Sequence, residues 1–295
     1  MLAKRLVTGV CFIIALVGLL WLDAWMGPVR VGTWTFPPGL VLAGVGALLV
    51  GLGSHELTRV AAKADIRVDA LFTAVVTIAV MLATWLSSSL SDDFGSTIPL
   101  TIIVLALVAS IIRFSHGRCV EHAFASSAVV MLSVVYLGVL SGFLLLIGAD
   151  ISVWMIGGVA LIVKCCDIGA YFTGRAIGRH KLIPWLSPGK TVEGLIGGIL
   201  ASMIAAIILN AALGSPLDWW WVLIMGGILA VVGQAGDLTM SLFKRGAGLK
   251  DSSTLLPGLG GVMDVIDSLL LAAPVAWWML RLSLGASDWQ ASLGS

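Results

Sequence analysis

Nine apolar runs separated by short polar clusters organise this chain, at about 6–22, 38–54, 70–87, 98–113, 124–148, 152–174, 191–213, 219–243 and 261–281. A helix that crosses a bilayer needs about 20 mostly apolar residues, so each run predicts one spanning helix. The second and fourth runs are short, and the fifth could be broken near Ser141-Gly142. The expected fold is all-α, a polytopic integral membrane protein of about nine transmembrane helices. Met1-Leu2-Ala3-Lys4-Arg5 ahead of the first run looks like the start of a secretory signal. That run is too long for a signal core and no small-residue cleavage pattern follows it closely, so it is read as the first span.

Cytoplasmic loops carry an excess of Lys and Arg. With nine alternating spans, 14 of the 17 Lys and Arg fall on one side, Arg30 and Arg281 fall on the other, and Lys164 lies within a span. This bias predicts a cytoplasmic N-terminus and an outside C-terminus, whereas eight spans would put basic loops on both sides. Composition agrees: 59% of residues are hydrophobic, 11% are charged and the mean hydropathy is +1.07, against roughly 25% charged in a soluble domain. The net charge of +1 suggests neither a nucleic-acid partner nor an acidic tail. Cys11, Cys119, Cys165 and Cys166 have no C-x-x-C spacing, so neither a disulfide framework nor a zinc site follows.

Polarity changes along the chain. Before about residue 123 the runs carry almost no charge; beyond it Lys164, Asp167, Asp237, Asp264 and Asp267 lie within spans or at their ends, and Glu193 opens another. Residues 1–122 are therefore expected to be N-terminal spans one to four, and 123–295 a catalytic region of spans five to nine. A charge inside a bilayer costs at least about 2.5–3.5 kcal/mol on insertion scales, which makes such residues functional candidates.

Lys164, Asp167, Tyr171 and Arg175 recur at helical spacing and share a face. Asp167 lies about 12 Å below Arg175 along the axis, and Lys164 could simply neutralise it. Asp237, Ser241, Lys244 and Arg245 form a second polar stripe, and Asp264 and Asp267 stand three apart at the start of the last run after Gly260-Gly261. Carboxylates of this kind suit a hard cation such as Mg²⁺, which shares its shell with waters and phosphates. Ser187-Pro188-Gly189-Lys190-Thr191-Val192-Glu193-Gly194 contains Gly-Lys-Thr, but a P-loop needs glycine where Pro184 stands. What remains is a turn with a lysine and Thr191 as helix N-cap, whose free N–H groups favour phosphate. Phosphates, a divalent metal and a membrane together suggest phosphoryl or nucleotidyl transfer onto a lipid.

The segment Ser241-x-Phe243-Lys244-Arg245-x4-Lys250-Asp251-x-Ser253-x2-Leu256-Pro257-x-Leu259-Gly260-Gly261-Val262-x-Asp264-Val265-Ile266-Asp267 closely resembles the signature of the phosphatidate cytidylyltransferases, the CDP-diacylglycerol synthases. Asp167-x-Gly169-Ala170-Tyr171-x2-Gly174-Arg175 and the 187–194 segment resemble that family's upstream motifs in the expected order. Together they cover about 160–281. The resemblance implies transfer of CMP from CTP to phosphatidic acid, with Mg²⁺ and a second, monovalent cation such as K⁺. It implies Asp237 and Asp264 as metal ligands with Asp267 and Asp167 nearby, and Lys190, Arg175, Lys244, Arg245 and Lys250 on phosphates. Asp251 joins the catalytic set; Tyr171, Ser187, Thr191, Glu193, Ser241, Gly260 and Gly261 join the substrate-binding set. The partners expected are CTP, phosphatidic acid and membrane lipid, no nucleic acid, and a second copy in a homodimer. The setting expected is a multi-pass plasma membrane site facing the cytoplasm. Leu259 replaces the family's His and Val265 its Arg, which leaves a changed substrate open. The alternatives are a CTP-dependent lipid-alcohol kinase of the polyprenol or phytol type, and a cation-coupled transporter.

Overall fold

In hydrocarbon a backbone has no water to bond, so an isolated apolar run must close its hydrogen bonds within itself, as a helix. The computed structural model describes residues 2–32, 34–90, 95, 97–115, 123–249, 252–253 and 260–292, and of these the side chains other than those of 2–8, 10, 34–35 and 284–292. Lys250, Asp251 and Leu259 lie outside the described residues. The long helices are α1 (Leu2–Met26), α2 (Leu40–Lys63), α3 (Ala70–Leu86), α4 (Thr97–Ser115), α5 (Ala123–Asp150), α6 (Val153–Ile177), α7 (Val192–Ala212), α8 (Trp219–Gly246) and α9 (Val262–Ser292). Among the described residues, eight of them are long and apolar enough to cross a membrane, and α1 adds the shorter apolar stretch Cys11–Met26.

Two local expectations are corrected. The second run does not end at 54, because α2 continues to Lys63 through His55 and Glu56. Ser54, His55 and Glu56 read as a boundary in sequence, but helix geometry tolerates a carboxylate that finds partners. The fifth run is not broken at Ser141-Gly142; its irregularity is a π-helical turn, Val134–Val139, immediately before. The Ser141 hydroxyl donates to the carbonyls of Leu137 and Gly138 and so serves that wider turn. The polar segments also include two small antiparallel hairpins. These are β1 (Arg30–Val31) with β2 (Trp34–Thr35), and β3 (Lys181–Ile183) with β4 (Ser187–Thr191), the latter pairing Lys181 with Thr191 and Ile183 with Ser187.

The chain forms two compact units, one of Met1–Val153 with Phe243–Ile266 and the other of Trp154–Leu242 with Asp267–Ser295. The division expected near residue 122 marks a change of polarity and is not this partition, since residues 243–266 pack with the N-terminal helices. In the first unit Val80, Ala106, Val130 and Val134 form a buried core. Beside it the Ser133 hydroxyl lies 3.1 Å from that of Ser54 and 3.0 Å from that of Thr77, hydroxyl contacts of the kind that join helices in lipid. Helix α2 begins at Gly39 with no side-chain cap of its own, and Asp23 of α1 supplies one by accepting the amides of Val41 and Leu42 at 2.7 and 3.2 Å. Asp69 caps α3 through the Phe72 amide, and the Arg113 guanidinium beside it holds its carboxyl below the usual carboxylate range.

In the second unit α6 and α7 approach closely at Gly169, where a Cβ would lie only 2.5 Å from that of Ala201. The Ser202 hydroxyl on α7 donates to the Ile162 carbonyl on α6 at 2.8 Å. Small residues and hydroxyls at helix contacts are the usual means of packing where lipid is as apolar as leucine.

Candidate active site

In the first unit, α9 starts with an uncommon arrangement. Gly260 has φ +94°, which a side chain rarely adopts, and a Cβ on Gly261 would overlap the Ser252 hydroxyl and the Glu56 carboxylate. The Asp264 carboxylate reaches back to this turn: Oδ2 accepts the amides of Gly261 (2.9 Å) and Ser252 (3.2 Å) and the Ser252 hydroxyl (2.9 Å). Its other oxygen takes Lys244 Nζ at 2.5 Å, and both side chains are nearly buried. Lys244 and Asp264, 20 residues apart, thus form a charge-assisted pair. Arg245 beside it is exposed and donates to the Leu249 carbonyl at 3.4 Å. Val265 is half-buried.

Glu56 was missed by sequence reasoning. It is only 3% exposed, and Oε1 accepts the Val262 amide and the Ser253 hydroxyl while Oε2 accepts the Met263 amide and the Ser252 hydroxyl. The signal that would have found it is a lone carboxylate within an apolar helical run, once that run is extended beyond residue 54.

In the second unit, Lys190 on β4 brings Nζ to 2.5 Å from Asp237 Oδ2 on α8. The ammonium is buried, and as an –NH₃⁺ group with three N–H donors beside one carboxylate it has donors left for another acceptor. Thr191 is the N-cap of α7 as expected, its hydroxyl accepting the Gly194 amide at 3.1 Å. Glu193 in the next turn accepts the amides of Arg179 and His180 and pairs with His180 Nδ1, and the Val192 amide bonds the His180 carbonyl. The expected lysine turn is therefore a hairpin pinned at its base, with Ser187 at its inner register position.

The α6 stripe is also present. Arg175 donates to the Tyr171 hydroxyl at 3.0 Å on an exposed face. Lys164 lies 3.4 Å from Asp167 and donates to the Ser268 hydroxyl at 2.9 Å, while Gln234 makes a long 3.5 Å contact with Asp167. Asp267 is buried at 3% exposure and accepts the Ser268 amide. Ser241 is half-buried on α8. Of the free cysteines, Cys11 is exposed and Cys166 is buried in α6.

Within each unit, no three His, Cys, Asp or Glu among the described residues gather into a ready-made metal cage. The donors at both lysine–aspartate pairs are carboxylate oxygens, the type a hard cation takes, and Mg²⁺ normally uses one or two carboxylates and completes its shell with waters and phosphates. The donor chemistry therefore fits Mg²⁺ at Asp237 and at Asp264.

Apolar helices of crossing length define a polytopic membrane protein, and each of its two units carries a lysine–aspartate pair. The chain belongs to the cytidylyltransferase family, whose model matches residues 3–283. It is 46% identical over 115 residues to the uncharacterized protein YnbB of Escherichia coli, covering 39% of this chain and 38% of that protein. It is 39% identical over 155 residues to the phosphatidate cytidylyltransferase of Staphylococcus haemolyticus, covering 52% of this chain and 59% of the relative. With the phosphatidate cytidylyltransferase of Bacillus subtilis it shares 33% identity over 182 residues, 60% and 68% of the two chains. The match thus spans from a little over a third to two thirds of the length of these relatives.

Proposed function

We propose that this chain transfers CMP from CTP to phosphatidic acid, giving CDP-diacylglycerol and pyrophosphate. One observation carries the reading: Lys244 and Asp264 are paired at a turn built from Ser252, Gly260 and Gly261, inside the segment that resembles the phosphatidate cytidylyltransferase signature. Membership of the cytidylyltransferase family and the names of the relatives support it.

In the reaction a phosphate oxygen of the lipid attacks the α-phosphorus of CTP, a new P–O bond forms, and the bond from the α-phosphorus to the bridging oxygen breaks with pyrophosphate leaving. The nucleophile is already anionic, so the work of the protein is to bring two anions together and stabilise the charge that moves to the leaving group. In this reading Lys190 and Arg175 of one unit, and Lys244 and Arg245 of the other, bind phosphate oxygens; the exposure of Arg175 and Arg245 supports that role. Asp264 in one unit and Asp237 in the other each offer carboxylate oxygens that would hold Mg²⁺, whose charge would offset that of the triphosphate. The concentration of Lys and Arg on one side of the predicted topology supports a site facing the cytoplasm, where CTP is.

The test is incubation of the purified chain with Mg²⁺, phosphatidic acid and CTP labelled on the α-phosphate. Label in the lipid with equimolar pyrophosphate is expected. No label in the lipid, together with transfer from γ-labelled CTP to a polyprenol or phytol in a parallel incubation with CDP released, would establish the lipid-alcohol kinase chemistry instead.

Lys164→Met is expected to be mild. Lys164 and Asp167 are each about two-fifths exposed, so their pairing is a weak one, and methionine keeps the apolar stem. Turnover within about tenfold of the unsubstituted protein is expected in the same assay; complete inactivity would make Lys164 a participant.

A further inference from the structure

The first amides of a helix have no partner within it and are usually capped by the side chain of the preceding residue. At α9 the capping position is Gly261, which has no side chain to offer. Half of a capping box is present, because Asp264, the third residue of the helix, reaches back to the Gly261 amide. The missing half comes from Glu56, 206 residues away, which accepts the Val262 and Met263 amides at 2.9 and 3.0 Å. Its two oxygens also take the hydroxyls of Ser253 and Ser252 at 2.6 and 3.1 Å. The Ser252 hydroxyl also stands 2.9 Å from Asp264 Oδ2, so its single proton is shared between the two carboxylates. Glu56 and Asp264 therefore grip the same serine and the same helix turn, and Gly261 leaves the space in which they do so.

We propose that Glu56 is a positioning residue for Asp264: it caps α9 from α2 and, through Ser252, sets the direction in which the Asp264 carboxylate points. The inference rests on the nucleotidyl-transfer reading for its activity arm only. It gives the N-terminal helices a part in the chemistry beyond spanning the membrane. Four donors converge on one buried carboxylate, and each of them lies in the segment that carries Asp264, so the carboxylate cannot be lost without releasing that segment.

The experiment compares the purified full chain with Glu56→Gln, which keeps shape but turns one acceptor oxygen into a donor facing N–H and O–H groups. Groups that orient metal ligands typically contribute about 10- to 100-fold to activity or metal affinity, so kcat is expected to fall by that factor and the Mg²⁺ concentration for half-maximal rate to rise by at least about fivefold. KM for phosphatidic acid should stay within about twofold. Independently of turnover, amide hydrogen exchange should accelerate at 262–263 and not across the other helices. Ser252→Ala, which keeps the carboxylate, should shift kcat and Mg²⁺ dependence in the same direction by about three- to tenfold. Unchanged kcat and Mg²⁺ dependence in both variants, or an activity loss that merely tracks exchange quickened throughout the protein, would overturn the proposal. If the unsubstituted chain transfers no CMP, the reaction reading fails on its own; unchanged exchange at 262–263 in Glu56→Gln would then still overturn the role of Glu56.

Discussion

Asp264→Asn is expected to reduce CMP transfer at least about 1,000-fold, equivalent to about 4 kcal/mol of transition-state stabilisation. The reason lies in the two faces of this carboxylate. Oδ1 meets the Lys244 ammonium and Oδ2 meets the Ser252 and Gly261 amides and the Ser252 hydroxyl. An asparagine has one acceptor and one donor to place there. With its oxygen toward the turn, its NH₂ faces the ammonium; reversed, the NH₂ faces two amides. Either way donors oppose donors, Lys244 loses its counter-charge in a nearly buried place, and a metal loses an anionic ligand. Breaking a buried pair costs about 3–5 kcal/mol of stability when one charge is left alone, so helicity and size-exclusion profile in detergent must accompany the assay. Activity within tenfold of the unsubstituted protein, in a folded sample, would remove Asp264 from the reaction.

The second large effect is expected at the other pair, where a double variant separates a structural from a chemical role. Asp237→Asn alone should lose transfer by about the same 1,000-fold, and Lys190→Met alone by about 100-fold or more, with a raised KM for CTP. The stability cost of either is smaller than at Lys244–Asp264, because Asp237 is one-third exposed and solvent screens what remains. Combining Asp237→Asn with Lys190→Met removes both charges and should restore thermal stability toward the starting value. Transfer should stay lost. A double variant that regained activity would show that the pair serves only to neutralise itself.

Both expectations concern residues visible as motif positions in the chain, yet only one property of each was readable there. That Asp237 and Asp264 matter follows from the cost of a carboxylate in an apolar helix. Which lysine neutralises each does not follow, since Lys190 and Lys244 both read in the sequence as phosphate ligands. Glu56 shows the converse failure. Its residue type is informative, but the polar triplet Ser54-His55-Glu56 mimics the end of a span in sequence while α2 runs on to Lys63. The hairpin at 181–191 escaped because two short strands with Pro184 and Pro188 nearby carry no periodicity worth the name.

Local properties were therefore settled by the chain itself: the apolar runs that become helices and the Thr191 cap on α7. Each depends on neighbours within a turn or two, or on summed transfer energies, and both are additive along a sequence. The tertiary structure alone decided the Lys190–Asp237 and Lys244–Asp264 pairs, the contacts of the Ser133 hydroxyl with Ser54 and Thr77, and the capping of α9 by a glutamate of α2. In lipid these groups must satisfy one another, because no water can. The choice of partner then rests on which helices meet and at what height, and that is a property of packing, not of residue order.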